Sequence, residues 1–153
     1  FKAFPLLKGA AGIAGLIVAT FIIASLAMRG PGVTWQPYTE ETLVAAQSLK
    51  KPVIIDFYAT WCTPCRELEE ITFHAPEVVR LAEKNFTMVK VDVTKGGNPY
   101  HEELLKKYDI KGVPTIVFVA ADGNERPELR LVDFLPADQF LLRMQAVAPP
   151  GQQ

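Results

Sequence analysis

Cys62 and Cys65 are the only cysteines in the chain, and they stand two residues apart in Trp61-Cys62-Thr63-Pro64-Cys65. They follow the largely apolar run Val53-Ile54-Ile55-Asp56-Phe57-Tyr58-Ala59. A strand that delivers a C-x-x-C to the start of a helix suits disulfide exchange. There, unpaired helix N–H groups and the helix dipole favour a thiolate at the first sulfur, so Cys62 is expected to be exposed and reactive. Cys65, one turn on and expected to be buried, is close enough to attack a mixed disulfide formed by Cys62. Two other uses of such a pair are weaker. A disulfide closing so short a loop recovers little chain entropy. A structural zinc needs four ligands, and His74 and His101, the only histidines, lack ligand-like spacing from the cysteines. The pair reads as a redox-active dithiol that works without metal or added cofactor.

The elements that must position it follow from the pattern on either side. Thr39 predicts the cap of a helix over 40–49, ended by Pro52. The run 53–59 then reads as a central strand buried on both faces. A helix starts at Thr63 with Pro64 in its first turn and a buried face of Cys65, Leu68, Ile71 and Thr72. Ala75-Pro76 should interrupt it, since proline removes a donor and clashes with the preceding turn; it resumes through Val78, Leu81 and Ala82. A strand over 86–93, a loop at Gly96-Gly97-Asn98-Pro99 and a helix over 100–108 follow. Strands over 115–120 and 129–134 read as a hairpin through Asp122-Gly123-Asn124, and a helix over 137–147 closes the domain. The order α-β-α-β-α-β-β-α predicts an α/β fold: a mixed sheet with helices on both faces.

The amino-terminal part is of another kind. Residues 9–28 carry no charge, and 20 residues at about 1.5 Å each suffice for a hydrocarbon core of about 30 Å. All acidic residues fall after position 32, so residues 1–32 carry +3 and the rest −4. A secretory signal peptide competes with a membrane span, and Ser25-Leu26-Ala27 faintly resembles a cleavage site, but the apolar stretch is long for a signal. Ala11, Gly15 and Ala19, with Gly12 beside them, make a small-residue stripe that would admit a second helix, although such residues are common in membrane helices. The chain begins at Phe1 rather than Met, which reads as a processed product or a piece with further spans ahead of it. Lys2 and Lys8 on one side against Arg29 on the other place the amino-terminal end in the cytoplasm and the domain outside. The expected organisation is a transmembrane helix with flanks at 1–29, a tether at 30–38, the domain at 39–147 and a disordered tail at 148–153. No basic tract or phosphate-cradling glycine loop is present, so neither nucleic acid nor nucleotide is an expected partner.

Three segments in order, Asp56 to Cys65, Val89-Lys90-Val91-Asp92-Val93 and Ile110-Lys111-Gly112-Val113-Pro114-Thr115, resemble the thioredoxin family, over residues 40–147. The stretch from Cys65 to Phe73, leading to Ala75-Pro76-Glu77-Val78, is similar to the carboxy-terminal domain of DsbD-type transmembrane thiol–disulfide interchange proteins, and the preceding helix would be their last span. The resemblance implies a thioredoxin fold with Cys62 as attacking thiolate and Cys65 as resolving thiol. It implies that Val113-Pro114 is a cis-proline loop, where the Val113 backbone pairs with an extended partner chain. Asp56, in an otherwise apolar strand, suits proton exchange with Cys65, or else sits at a solvated strand end. Lys90 matches a family lysine that pairs with that acid, or is a solvated edge lysine. Trp61 is expected to shield the sulfurs and to contact partners. Two departures stand out: Thr63-Pro64 is closer to reducing thioredoxins than to DsbD-type domains, and 130–136 lacks a glycine often found there. The expected function is a membrane-tethered dithiol reductant or relay on the periplasmic side of a bacterial inner membrane, acting on protein disulfides. A single-span thioredoxin for cytochrome c maturation and a non-catalytic soft-metal module are the alternatives.

Overall fold

The computed structural model describes residues 3–27 and 30–148, with side chains described for 12–25 and 30–148. It separates into two compact units, Phe1–Pro31 and Gly32–Gln153. In the first, α1 (Ala3–Ala27) exposes apolar side chains such as Ile13, Leu16, Phe21 and Ile23. Its hydroxyls turn back on its own backbone: Thr20 Oγ1 donates to Leu16 O at 2.8 Å and Ser25 Oγ to Phe21 O at 2.7 Å. Such back-bonding satisfies a hydroxyl without water. Among the described residues, no helix is long and apolar enough to cross a membrane. The span expected over 9–28 reaches beyond them, at Met28 and at the side chains of 9–11, 26 and 27, and so does Ala11 of the small-residue stripe.

The second unit starts inside the stretch expected as a tether. The stretch 30–38 does not behave throughout as a tether: Val33 and Tyr38 are buried, and β1 (Gln36–Pro37) joins the sheet. Two residues ending in proline carry no strand signal of their own; pairing with the neighbouring strand makes them one. Next come α2 (Glu40–Ser48), capped by Thr39 Oγ1 on the Thr42 N–H, and β2 (Val53–Tyr58). Then follow α3 (Thr63–Glu67), a π-helical turn (Leu68–Thr72) and α4 (Pro76–Asn85). The chain continues through β3 (Thr87–Asp92), α5 (Pro99–Lys107), β4 (Thr115–Val119), a 3₁₀ turn (Pro127–Leu129) and α6 (Ala137–Val147). The strand order is β1-β3-β2-β4. β1 and β2 run parallel to β3, and β4 runs antiparallel to β2.

Strand alternation divides the core. Val53, Ile55 and Phe57 pack with Val89, Val91, Ala46 and Leu104 in one cluster. Ile54, Met88, Ile116 and Phe118 pack with Leu68, Phe73, Val78 and Phe140 in the other. Helices therefore cover both faces of a mixed sheet, as expected. Asp56 has the parity of Ile54 and points to the second side.

Two further expectations are corrected. The strand over 129–134 does not form. Leu131 alone pairs with Ile116, with N–H···O distances of 2.8 and 3.1 Å, and Glu125 bridges Val119. Pro127 starts a 3₁₀ turn between these bridges, so no continuous ladder can build. The turn at 122–124 does form: Gly123 adopts φ 83°, and Asp122 Oδ1 accepts from Asn124 N–H at 2.9 Å. Ile71, expected on the buried face, is 55% exposed. The wider π turn, closed by Phe73 N–H to Leu68 O at 2.8 Å, inserts a residue and buries Phe73 in its place, while Leu68 and Thr72 are buried as expected. The break at Ala75-Pro76 falls where expected. Residues 149–153 of the expected tail lie outside the described residues.

Candidate active site

β2 ends one turn before the cysteines, so they project from the carboxyl edge of the sheet. Cys62 is the N-cap of α3, its sulfur accepting from Cys65 N–H at 3.2 Å, and Pro64 occupies the first turn. The two sulfurs are joined in a disulfide, with the Cα atoms 5.3 Å apart. Cys65 is 7% exposed and buried, as expected, but Cys62 is buried too, at 4%. In this disulfide form the two cysteines cluster with Ala59, and Tyr58, Val93 and Val113 pack against that cluster.

Val113 comes from the loop before β4, and the Val113–Pro114 peptide bond is cis. Trp61 is 67% exposed beside the pair. Its Nε1–H donates to Thr94 O at 3.3 Å, and Thr60 N–H donates to Thr94 Oγ1 at 2.9 Å. Thr94 thus ties the loop after β3 to the residues leading into the C-x-x-C. A lone threonine in a loop gives no signal of this role in the sequence.

Behind the cysteines lies a charged cluster. Asp56 is 3% exposed and sits in register with Lys90 on β3 and Ile116 on β4. Its Oδ2 is 3.9 Å from Lys90 Nζ, while Oδ1 has no hydrogen-bond partner among the described residues. Burial pushes the Asp56 carboxyl up to about 7; the Lys90 cation pulls it down and the Glu69 charge raises it. Lys90 is no solvated edge residue: its Nζ forms an ion pair with Glu69 and lies 4.8 Å from the Trp35 ring and 4.7 Å from the Tyr58 ring. A cleft of about 190 Å³ is lined by Asp56, Cys65, Glu69 and Lys90 among others. Glu69 is not among the residues the sequence singles out, although it follows Cys65 by four residues and so shares its helical face.

Cys65 and a carboxyl that is half-ionised near neutrality therefore front on one space. Such a carboxyl can take a proton from a thiol and return it. His74 braces the π turn, its Nδ1 2.5 Å from Glu69 O, and His101 lies on α5; neither reaches the sulfurs. Among the described residues no three or more His, Cys, Asp or Glu side chains gather as a metal-binding group.

The family model for thioredoxin-like proteins matches residues 34–121. The thiol:disulfide interchange protein DsbD of Yersinia pestis is 42% identical over 102 residues, covering 67% of this chain and 17% of that protein. DsbD of Klebsiella pneumoniae is 35% identical over 137 residues, covering 84% of this chain and 23% of that protein. The chain thus spans only a minor part of the length of these curated relatives. Among solved structures, the oxidised C-terminal domain of Neisseria meningitidis DsbD matches with a TM-score of 0.60 and 33% identity over 70% of this chain and 90% of that domain. A thioredoxin from Thermus thermophilus matches with a TM-score of 0.64 and 29% identity, over 76% and 88%.

Proposed function

The chain belongs to the thioredoxin-like family, and from that premise we propose that it is a membrane-tethered thiol–disulfide oxidoreductase that reduces, or relays electrons to, protein disulfides. The observation that carries this reading is the Cys62–Cys65 pair at the start of α3, with Asp56 and Cys65 sharing one cleft. In the dithiol form, the Cys62 thiolate attacks a partner disulfide. A Cys62–partner disulfide forms and one partner thiolate leaves. Cys65 gives its proton to Asp56, and its thiolate attacks the Cys62 sulfur, releasing the second partner thiolate. Two electrons pass to the partner, and the Cys62–Cys65 disulfide remains. No further cofactor is needed for this balance, and a second dithiol must recharge the domain. Val113, against the cysteines and next to Pro114, offers backbone for an extended partner chain to pair with, and the exposed Trp61 adds apolar contact.

We assign residues 9–28 to the cytoplasmic membrane of a bacterium and the domain to its periplasmic side. The uncharged stretch, the lysines ahead of it and the similarity to DsbD proteins support this location. A reporter active only in an oxidising compartment is expected to work when fused after Gln153; activity of a cytoplasm-only reporter there would reverse the orientation.

The chemistry is tested by insulin reduction with dithiothreitol as donor. The chain is expected to accelerate insulin precipitation, whereas a module that only binds soft metals would not turn over.

A further inference from the structure

Trp35 lies in the stretch that reads as a tether, yet it stands at the back of the redox site. Val33 N–H donates to Phe73 O at 2.9 Å, and Tyr38 N–H donates to Lys90 O at 3.2 Å. Between these points β1 pairs Gln36 with Val89 and Pro37 with Lys90. The segment is thus fastened to β3 and to the end of the π turn. The Trp35 indole packs edge-on against Phe73, with centroids 5.0 Å apart and planes at 71°. The Lys90 ammonium lies over the Trp35 ring at 4.8 Å and over the Tyr58 ring at 4.7 Å. A lysine head on a flexible four-carbon stem has many other places to go. Here it is confined by two ring faces and two carboxylates.

We propose that Trp35 is a positioning residue of the redox site: its ring holds the Lys90 ammonium against Asp56 and Glu69, so the segment 33–38 helps to set the charge behind Cys65. This rests on the reading of Asp56 as proton acceptor in the resolving step. Trp35 touches neither sulfur and acts through Lys90. The groups facing Lys90 are Asp56 and Tyr58 from β2 and Glu69 from the π turn. Arg66 of α3, Asp92 of β3, and Tyr100 and His101 of α5 stand on the walls of the two clefts it lines.

The test uses the full chain in its disulfide form, where neither cysteine titrates, with ¹³C-carboxyl aspartate followed by NMR across pH. The Asp56 signal is assigned by its loss in Asp56→Asn. Trp35→Leu is expected to lower the Asp56 ionisation constant about fivefold, the size of one partly desolvated cation–π contact. Lys90→Met should lower it at least as much, and adding Trp35→Leu to Lys90→Met should change it less than about twofold, since coupled residues are not additive. Trp35→Phe, which keeps a ring face, should stay close to the parent. Equal effects of Trp35→Leu with and without Lys90, or no effect at all, would overturn the proposal. If Trp35→Leu does not fold, the parent decides: the Lys90 ε-methylene protons should be displaced upfield by the two rings, and ordinary positions would overturn it. Insulin reduction reports the proposed function separately. A parent that shows the Trp35–Lys90 coupling but no turnover contradicts that function and leaves the positioning role standing.

Discussion

Cys65→Ser will stop the reaction halfway. Cys62 still attacks, but no second thiolate releases it, so the mixed disulfide accumulates and steady-state insulin reduction falls to background, a loss of about 100-fold or more if the paired thiols act as a unit. Cys62→Ser should lose turnover equally and yet trap few adducts. The asymmetry comes from position: Cys62 caps α3, where N–H groups and the dipole support its thiolate, whereas Cys65 lies within the helix, toward Asp56 and Glu69. In the disulfide form both sulfurs are buried, so trapping must be assayed with pre-reduced protein. Non-reducing gels with mass identification of the adducts make the measurement. Equal trapping by the two variants would exchange or erase the assigned roles.

Asp56→Asn should move stability and rate in opposite directions. A carboxyl whose folded pKa lies above its unfolded value costs nothing where both states are protonated. The cost grows as the unfolded chain ionises and is complete once the folded group ionises too. With a rise from 3.8 to about 7, the wild type loses stability to this group between about pH 4 and pH 7, and the loss is constant above. The full span corresponds to about 4 kcal/mol at about 1.4 kcal/mol per tenfold change in ionisation. Burying an unpartnered amide offsets about 2 kcal/mol of it at every pH, so a gain on the order of 2 kcal/mol at neutral pH is expected, shrinking on acidification and turning into a loss of similar size below about pH 4. Turnover should fall about tenfold, less than the ~10²–10⁴ typical of a positioned proton acceptor, because the cleft admits water as a poorer substitute. Denaturant melts across pH and insulin-reduction rates check both halves. Lower stability with an unchanged rate would make Asp56 an ordinary structural acid.

What could be read in advance was whatever announces itself locally. The largely apolar run at 53–58, the cap at Thr39 and the proline at position 76 each declare an element through its own residues. The thioredoxin resemblance added Val113-Pro114, where spacing alone says only that a proline precedes a strand. The misses are non-local. Gln36–Pro37 becomes a strand only because β3 lies beside it. The stretch 129–134 has β-rich composition but meets its neighbour at Leu131 alone. A 3.6-residue period places Ile71 beside Leu68, and the π turn breaks that period. The charged cluster was half visible. Asp56 and Lys90 stand out in apolar strands, whereas Glu69 and Trp35 join them only through tertiary packing.

The most direct test of the account is a single turnover without dithiothreitol. Pre-reduced protein is mixed with excess insulin and quenched by alkylation, and both products are weighed by mass spectrometry. The account predicts one Cys62–Cys65 disulfide formed for each insulin disulfide opened, with no adduct persisting at the end. If insulin stays oxidised while Cys62 and Cys65 remain alkylatable, the chain does not transfer electrons from this pair, and the proposed function is wrong.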